Sequence, residues 1–133
     1  MTANLTGQFT ISGWQEEPKF QNDAGHKVSY ADIKQTYTGD IEGSSVVQYL
    51  LCYTSATHAL FTGFEVITTT VDNVESTLTI SHTGEFSAGV ASSTFIVVEN
   101  TGTGAFANAT GQGHLVPAKR EAQNLKSNLI NDV

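Results

Sequence analysis

Apolar and polar positions alternate along this chain in short runs broken by glycine, the pattern of half-buried strands joined by tight turns. Leu78-Thr79-Ile80-Ser81-His82 is the clearest run. Gly84, Gly89, Gly102, Gly104, Gly111 and Gly113 then interrupt the chain at short intervals. With no long helix between the strands, the pattern predicts an all-β fold over residues 1–117: a small closed antiparallel barrel, with a sandwich as the other arrangement. A barrel has a lumen that could take a small molecule.

Strands are expected over residues 5–15, 27–38, 46–53, 59–71, 76–83, 90–99 and 114–116. In the first, Leu5, Phe9 and Ile11 share a face and Trp14 falls on the other phase, so a bulge near Ser12-Gly13 is expected. In the second, Val28 and Tyr30 take one phase and Ile33 and Tyr37 the other, which predicts a bend midway. The third is apolar on both faces, and Phe95, Ile96, Val97 and Val98 repeat this in the sixth. Such strands are covered on both sides. The interior supplies one cover, and a helix, a loop or another subunit the other. Beyond Pro117, the residues Ala118, Ala122, Leu125 and Leu129 recur at helical spacing. They predict a short C-terminal helix, or a partly ordered tail, over 118–133.

Composition narrows the partners. The chain has 133 residues, one domain's worth, and a net charge of −7. Lys119, Arg120 and Lys126 cluster near the C-terminus, leaving the body acidic. Nucleic acid and anionic membrane surfaces are therefore poor partners. No basic, apolar leader opens the chain and no run is long enough to span a bilayer, so a cytoplasmic protein is expected. The single Cys52 forms no internal disulfide and reads as an inert core thiol.

The chemistry-bearing candidates are few. Glu65 alternates with Phe61 and Ile67, and His82 shares a phase with Leu78 and Ile80. If the apolar sets point inward, Glu65 and His82 do too. A carboxylate beside an imidazole in a dry lumen is a plausible acid–base pair, but such a buried pair is more often a structural one that fixes register. Phe61, Ile80 and Tyr49 are the neighbours expected to line a ligand site with them. Tyr30, Tyr37, Tyr49, Tyr53 and Trp14 could offer polar handles to an apolar ligand, or simply pack the core. Asp40 and Glu42 sit in a glycine-bracketed turn, where carboxylates more often cap amides. His26, His58, His82 and His114 lack metal-ligand spacing, so no metal or cofactor is expected. Gly102 to Ala107 imitates a dinucleotide fingerprint but opens no helix, and reads as a hairpin.

In order, Gly39-Asp40-Ile41-Glu42-Gly43, Gly63-Phe64-Glu65, His82-Thr83-Gly84-Glu85-Phe86, Gly102-Thr103-Gly104-Ala105-Phe106 and Gly111-Gln112-Gly113 resemble a bacterial family, domain of unknown function 3224. The resemblance covers about residues 5–116. It implies a single small barrel similar to that of allene oxide cyclase and related to calycin-like barrels, and implies no established activity. Asn108 and Thr110 depart from the family hairpin, and no allene oxide cyclase catalytic residue carries over.

Three functions are consistent with these residues. The first is binding of a small, largely apolar molecule in the lumen. The second is a cyclase or isomerase using Glu65 and His82 for proton transfer. The third is a self-association module whose barrel is filled by its own side chains. A homo-oligomer is compatible with all three.

Overall fold

The computed structural model describes residues 2–88, 90–116 and 123–131, with side chains described for 7–88 and 90–115. Eight strands make up the sheet: β1 (Thr2–Gln21), β2 (Lys27–Gly39), β3 (Gly43–Ser55), β4 (His58–Val71), β5 (Val74–Ser87), β6 (Val90–Val97), β7 (Ala109–Val116) and β8 (Gln123–Asn131). Each pairs antiparallel with the next. The last pairs back onto the first, from Thr2↔Ile130 to Phe9↔Gln123, and the ring is closed.

This overturns the expected assembly of seven strands and a helix. No helix lies over Gln123–Asn131; that segment is β8. The helical element among the described residues is one 3-10 turn, Gly104–Phe106. No ladder joins β7 to β1. The seven expected strands therefore form an open antiparallel sheet and do not close by themselves. β8 fills the gap between their two free edges, where open edges would otherwise leave backbone groups unpaired. Pro117, Ala118 and Ala122 of the expected helical stripe lie outside the described residues, as does Gly89. The side chains of Leu5, Leu125 and Leu129 also lie outside them.

Alternation decides what faces inward. On β2 the odd positions from Ser29 to Tyr37 are all buried, so the strand does not bend; Val28 and Tyr30 are on its outer side. The sequence misleads here because polar Ser29 and Gln35 point in. The expected bulge lies between Ile11 and Gly13. It turns Ile11 out to solvent and brings Trp14 and Glu16 onto the inner phase, on which Phe9 lies before it.

Two apolar clusters fill the interior. Phe9, Tyr37, Ile41, Ile67, Leu78, Phe95, Phe106 and others form one. Ala31, Ile33, Val47, Tyr49, Leu51 and Phe61 form the second, with Tyr53 and Phe86 packed against it. The first cluster is plugged by Phe106, presented by the loop between β6 and β7. That loop is pinned to β5 through Thr103 N–H to Thr77 O (3.0 Å) and Ala105 N–H to Ser76 Oγ (2.9 Å). Gly102 is required there: a Cβ would stand 1.7 Å from Phe106 O.

Candidate functional site

Glu65 and His82 reach the same place from neighbouring strands. The β4–β5 register pairs Gly63 with His82 and Glu65 with Ile80, so the two side chains are diagonal neighbours on the inner face. Their exposures are 1% and 0%. His82 Nε2 donates to Glu65 Oε1 at 2.7 Å, since a carboxylate oxygen accepts. His82 Nδ1 shares a hydrogen bond with the Ser93 hydroxyl at 3.2 Å. The Tyr37 hydroxyl donates to Glu65 Oε2. A hydrogen-bonded chain, Tyr37–Glu65–His82–Ser93, thus links β2, β4, β5 and β6. No buried side-chain polar atom among the described residues lacks a partner.

The tyrosines feel this chain. Burial pushes the Tyr37 hydroxyl well above its ordinary range, and the nearby Glu65 carboxylate adds to the shift. Burial, then Glu65, raises Tyr49 as well. Tyr49 meets His82 edge-on at 5.6 Å between ring centres, and Phe95 lies 5.5 Å from the imidazole on another side. Phe61, Ile80 and Tyr49, the neighbours expected from the sequence, are all buried on the inner face around Glu65 and His82. The structure brings the five together and packs them with the chain's own side chains.

An aromatic file, not anticipated as a unit, runs from this centre to one end of the barrel. Tyr49 lies 4.6 Å from Phe61, Phe61 5.0 Å from Phe86, and Phe86 6.0 Å from Trp14. Trp14 belongs to β1 and Phe86 to β5, four strands apart around the ring, so their contact crosses the opening. Exposure rises along the file, from 3% at Phe61 to 38% at Trp14. Trp14 Nε1 donates to Glu16 Oε1 at 3.0 Å. Glu16 also accepts from the Ser29 and Tyr53 hydroxyls, the latter at 2.8 Å. Burial works against the charged form of Glu16. The Ser29, Tyr53 and Trp14 hydrogen bonds and the Lys27 charge outweigh it and lower the pKa. The same pairing, added to burial, pushes Tyr53 up to about 12. The sequence signal for this end was the phase shift that the bulge gives Trp14.

Other candidates stay apart. Asp40 and Glu42 are exposed in the β2–β3 turn. His26 bonds the Tyr53 carbonyl and His58 pairs with Glu85, both at 3.0 Å. No cluster of three or more metal-ligating side chains occurs among the described residues. Cys52 is not a core thiol; it lies on the outer phase of β3, half-buried. Among the described residues, no helix is long and apolar enough to cross a membrane.

No curated protein matches this chain. It superposes on the crystal structure of a protein with unknown function from the DUF3224 family of Shewanella oneidensis MR-1 with a TM-score of 0.76 at 14% identity, over 100% of this chain and 99% of that one. That likeness is one of fold. The model of the family described as protein of unknown function (DUF3224) matches residues 5–128, nearly the whole chain, and the protein belongs to that family.

Proposed function

We propose that the protein binds a small, largely apolar molecule with one hydrogen-bond donor, taken up at the end of the barrel that Trp14 spans. The observation that carries this reading is the Trp14–Phe86 contact across the opening, 6.0 Å between ring centres. Ligand sites are largely apolar and aromatic, with a few placed polar groups. Here Trp14, Phe86 and Phe61 supply the apolar walls, and the Glu16 carboxylate supplies an acceptor at the rim. The guest's apolar body displaces the Trp14 ring from Phe86, and its hydroxyl or amine takes over a hydrogen bond on Glu16.

Glu65 and His82 form the floor in this reading. A cyclase or isomerase would need them to turn toward the guest, away from Tyr37 and Ser93. The proposal is therefore of binding and not of turnover.

Trp14 is the one tryptophan, so the chain carries its own reporter. Titration with 1-octanol should shift Trp14 emission saturably. Its methyl ether, which lacks the donor, should bind more weakly, and Phe86→Ala should abolish the response. A flat emission up to the solubility limit of 1-octanol, on protein with a cooperative melt, rejects the proposal.

A further inference from the structure

The outer wall of β3, β4, β5 and β6 carries no Asp, Glu, Lys or Arg through its middle. The outward positions are Ser44 to Cys52 on β3, Leu60 to Thr70 on β4, Thr77 to Thr83 on β5 and Val90 to Ile96 on β6, taken alternately. Glu75 and Glu85 stand only at its ends. This is unexpected in a chain of net charge −7. Among the described residues the wall also carries most of the exposed large hydrophobic side chains. Val46 opposes Val66, Gln48 opposes Phe64, and Cys52 opposes Leu60 across the β3–β4 ladder. Phe64 and Leu50 are each 56% exposed, and Val46, Leu60, Val66 and Ile96 are exposed beside them. A recess of about 310 Å³ lies between Tyr30, Leu50, Thr62, Phe64 and Ser81. Neither a helix nor a loop among the described residues covers this face.

We infer that a second copy of this chain covers it, in a two-fold contact centred on Phe64. Charge selects that occupant. A cationic partner would be drawn to the acidic turns and strand ends, and a partner that presents its acids at the contact would be repelled there. Two bodies of −7 approach at least cost through a face that has no charge and keeps the acids at its margin. The threonine and serine hydroxyls between the apolar residues suit a protein surface with a polar rim, not a hydrocarbon phase. Size agrees. Four strands about 4.8 Å apart, with outer stretches of seven to eleven residues at about 3.3 Å each, span roughly 20 by 25–35 Å. That footprint is comparable to the roughly 800 Å² per partner of a standard interface. A two-fold contact is self-complementary, so one apolar patch per chain suffices.

The test is sedimentation velocity on the full chain over a concentration series, with a circular dichroism melt of every variant. Wild type should sediment at twice the chain mass. Phe64→Glu and Leu50→Glu should sediment as monomers with native spectra. Phe20→Glu, an exposed aromatic on the far part of β1, should remain dimeric. Should Phe64→Glu lose its cooperative melt, Thr62→Lys puts a charge at an already outward position and must likewise give a monomer. A wild type that stays monomeric, or a dimer that survives Phe64→Glu or Thr62→Lys with an intact fold, overturns the inference.

Discussion

His82 Nε2 lies 2.7 Å from Glu65 Oε1 at the middle of the barrel, with both side chains withdrawn from water. Two ionisable groups survive there only because each remaining valence is used: Tyr37 serves the second carboxylate oxygen and Ser93 the second imidazole nitrogen. The pair holds β4 to β5 and reaches through its partners to β2 and β6. A one-residue slip of either strand would throw one member out to solvent.

Removing one partner should therefore cost more than changing its charge. His82→Ala leaves a buried carboxylate short of its donor and should destabilise the fold by roughly 3–5 kcal/mol in urea. Glu65→Gln keeps an acceptor for Tyr37 and should cost less, about 1–3 kcal/mol. Changes below about 0.5 kcal/mol in both variants would show that the pair is not structural.

Much of this was legible beforehand. The phases of Glu65 against Phe61 and Ile67, and of His82 against Leu78 and Ile80, place both side chains inward without any coordinates. What the sequence hid has definite causes. Leu125 and Leu129 are four residues apart, a spacing that puts two side chains on one face of a strand as well as of a helix. Only pairing with β7 and β1, absent from any local pattern, decides between them. β2 read as bent because it buries Ser29 and Gln35 while Val28 and Tyr30 face out. Val46 and Leu50 promised cover on both sides of β3, and among the described residues nothing covers the outer side. The bonds from Ser93 and Tyr37 to the central pair depend on strands distant in sequence.

Alkaline titration should separate the tyrosines. Tyr37 and Tyr49 are raised by burial and by the Glu65 carboxylate. A hydroxyl whose folded pKa lies above its unfolded value of about 10 adds stability that is whole below that pH and is lost as pH climbs toward the folded value. Absorbance at 295 nm should thus show the Tyr37 and Tyr49 steps coinciding with loss of the far-ultraviolet signal, with Tyr53 titrating near 12. Four tyrosines ionising together near pH 10 in folded protein would contradict this packing.

Acid should be reported by Trp14. Glu16 is lowered below its ordinary 4.5. Its contribution is present above the unfolded value and is lost as pH falls through the folded one. Below that point the carboxylate no longer attracts Lys27, and its hold on the Trp14 ring weakens. Trp14 emission should therefore change with a midpoint below 4.5, and Glu16→Gln should remove the transition. An unchanged midpoint in Glu16→Gln would mean that Trp14 responds to some other group.

The plugged end of the barrel depends on close approach at Gly102. Gly102→Ala drives a methyl group onto Phe106 O and Cβ, which lie 1.7 and 3.1 Å from the Cβ position. The loop must shift and withdraw Phe106 from its cluster. A loss of at least about 2 kcal/mol is expected, approaching the roughly 3–5 kcal/mol of Phe106→Ala. The two changes should be strongly non-additive because they act through one side chain. Additive losses in the double-mutant cycle would place the cost of the alanine elsewhere.

Ending the chain at residue 117 removes β8 and gives the sharpest test of the ring. The seven remaining strands keep every ladder from β1–β2 to β6–β7, so a tail or an outer helix could be lost at little cost. Loss of a ring member is different. It frees the β1 edge from Thr2 to Phe9 and the β7 edge from Ala109 to Val116, both of which β8 now occupies. Two free edges flank a slot that opens the first apolar cluster to water, and such edges pair with other chains. The truncated chain should lose its cooperative melt, bind hydrophobic dyes and aggregate. A 1–117 with the sedimentation behaviour and melting temperature of the full chain would mean that closure contributes nothing, and that the strands hold together as an open sheet.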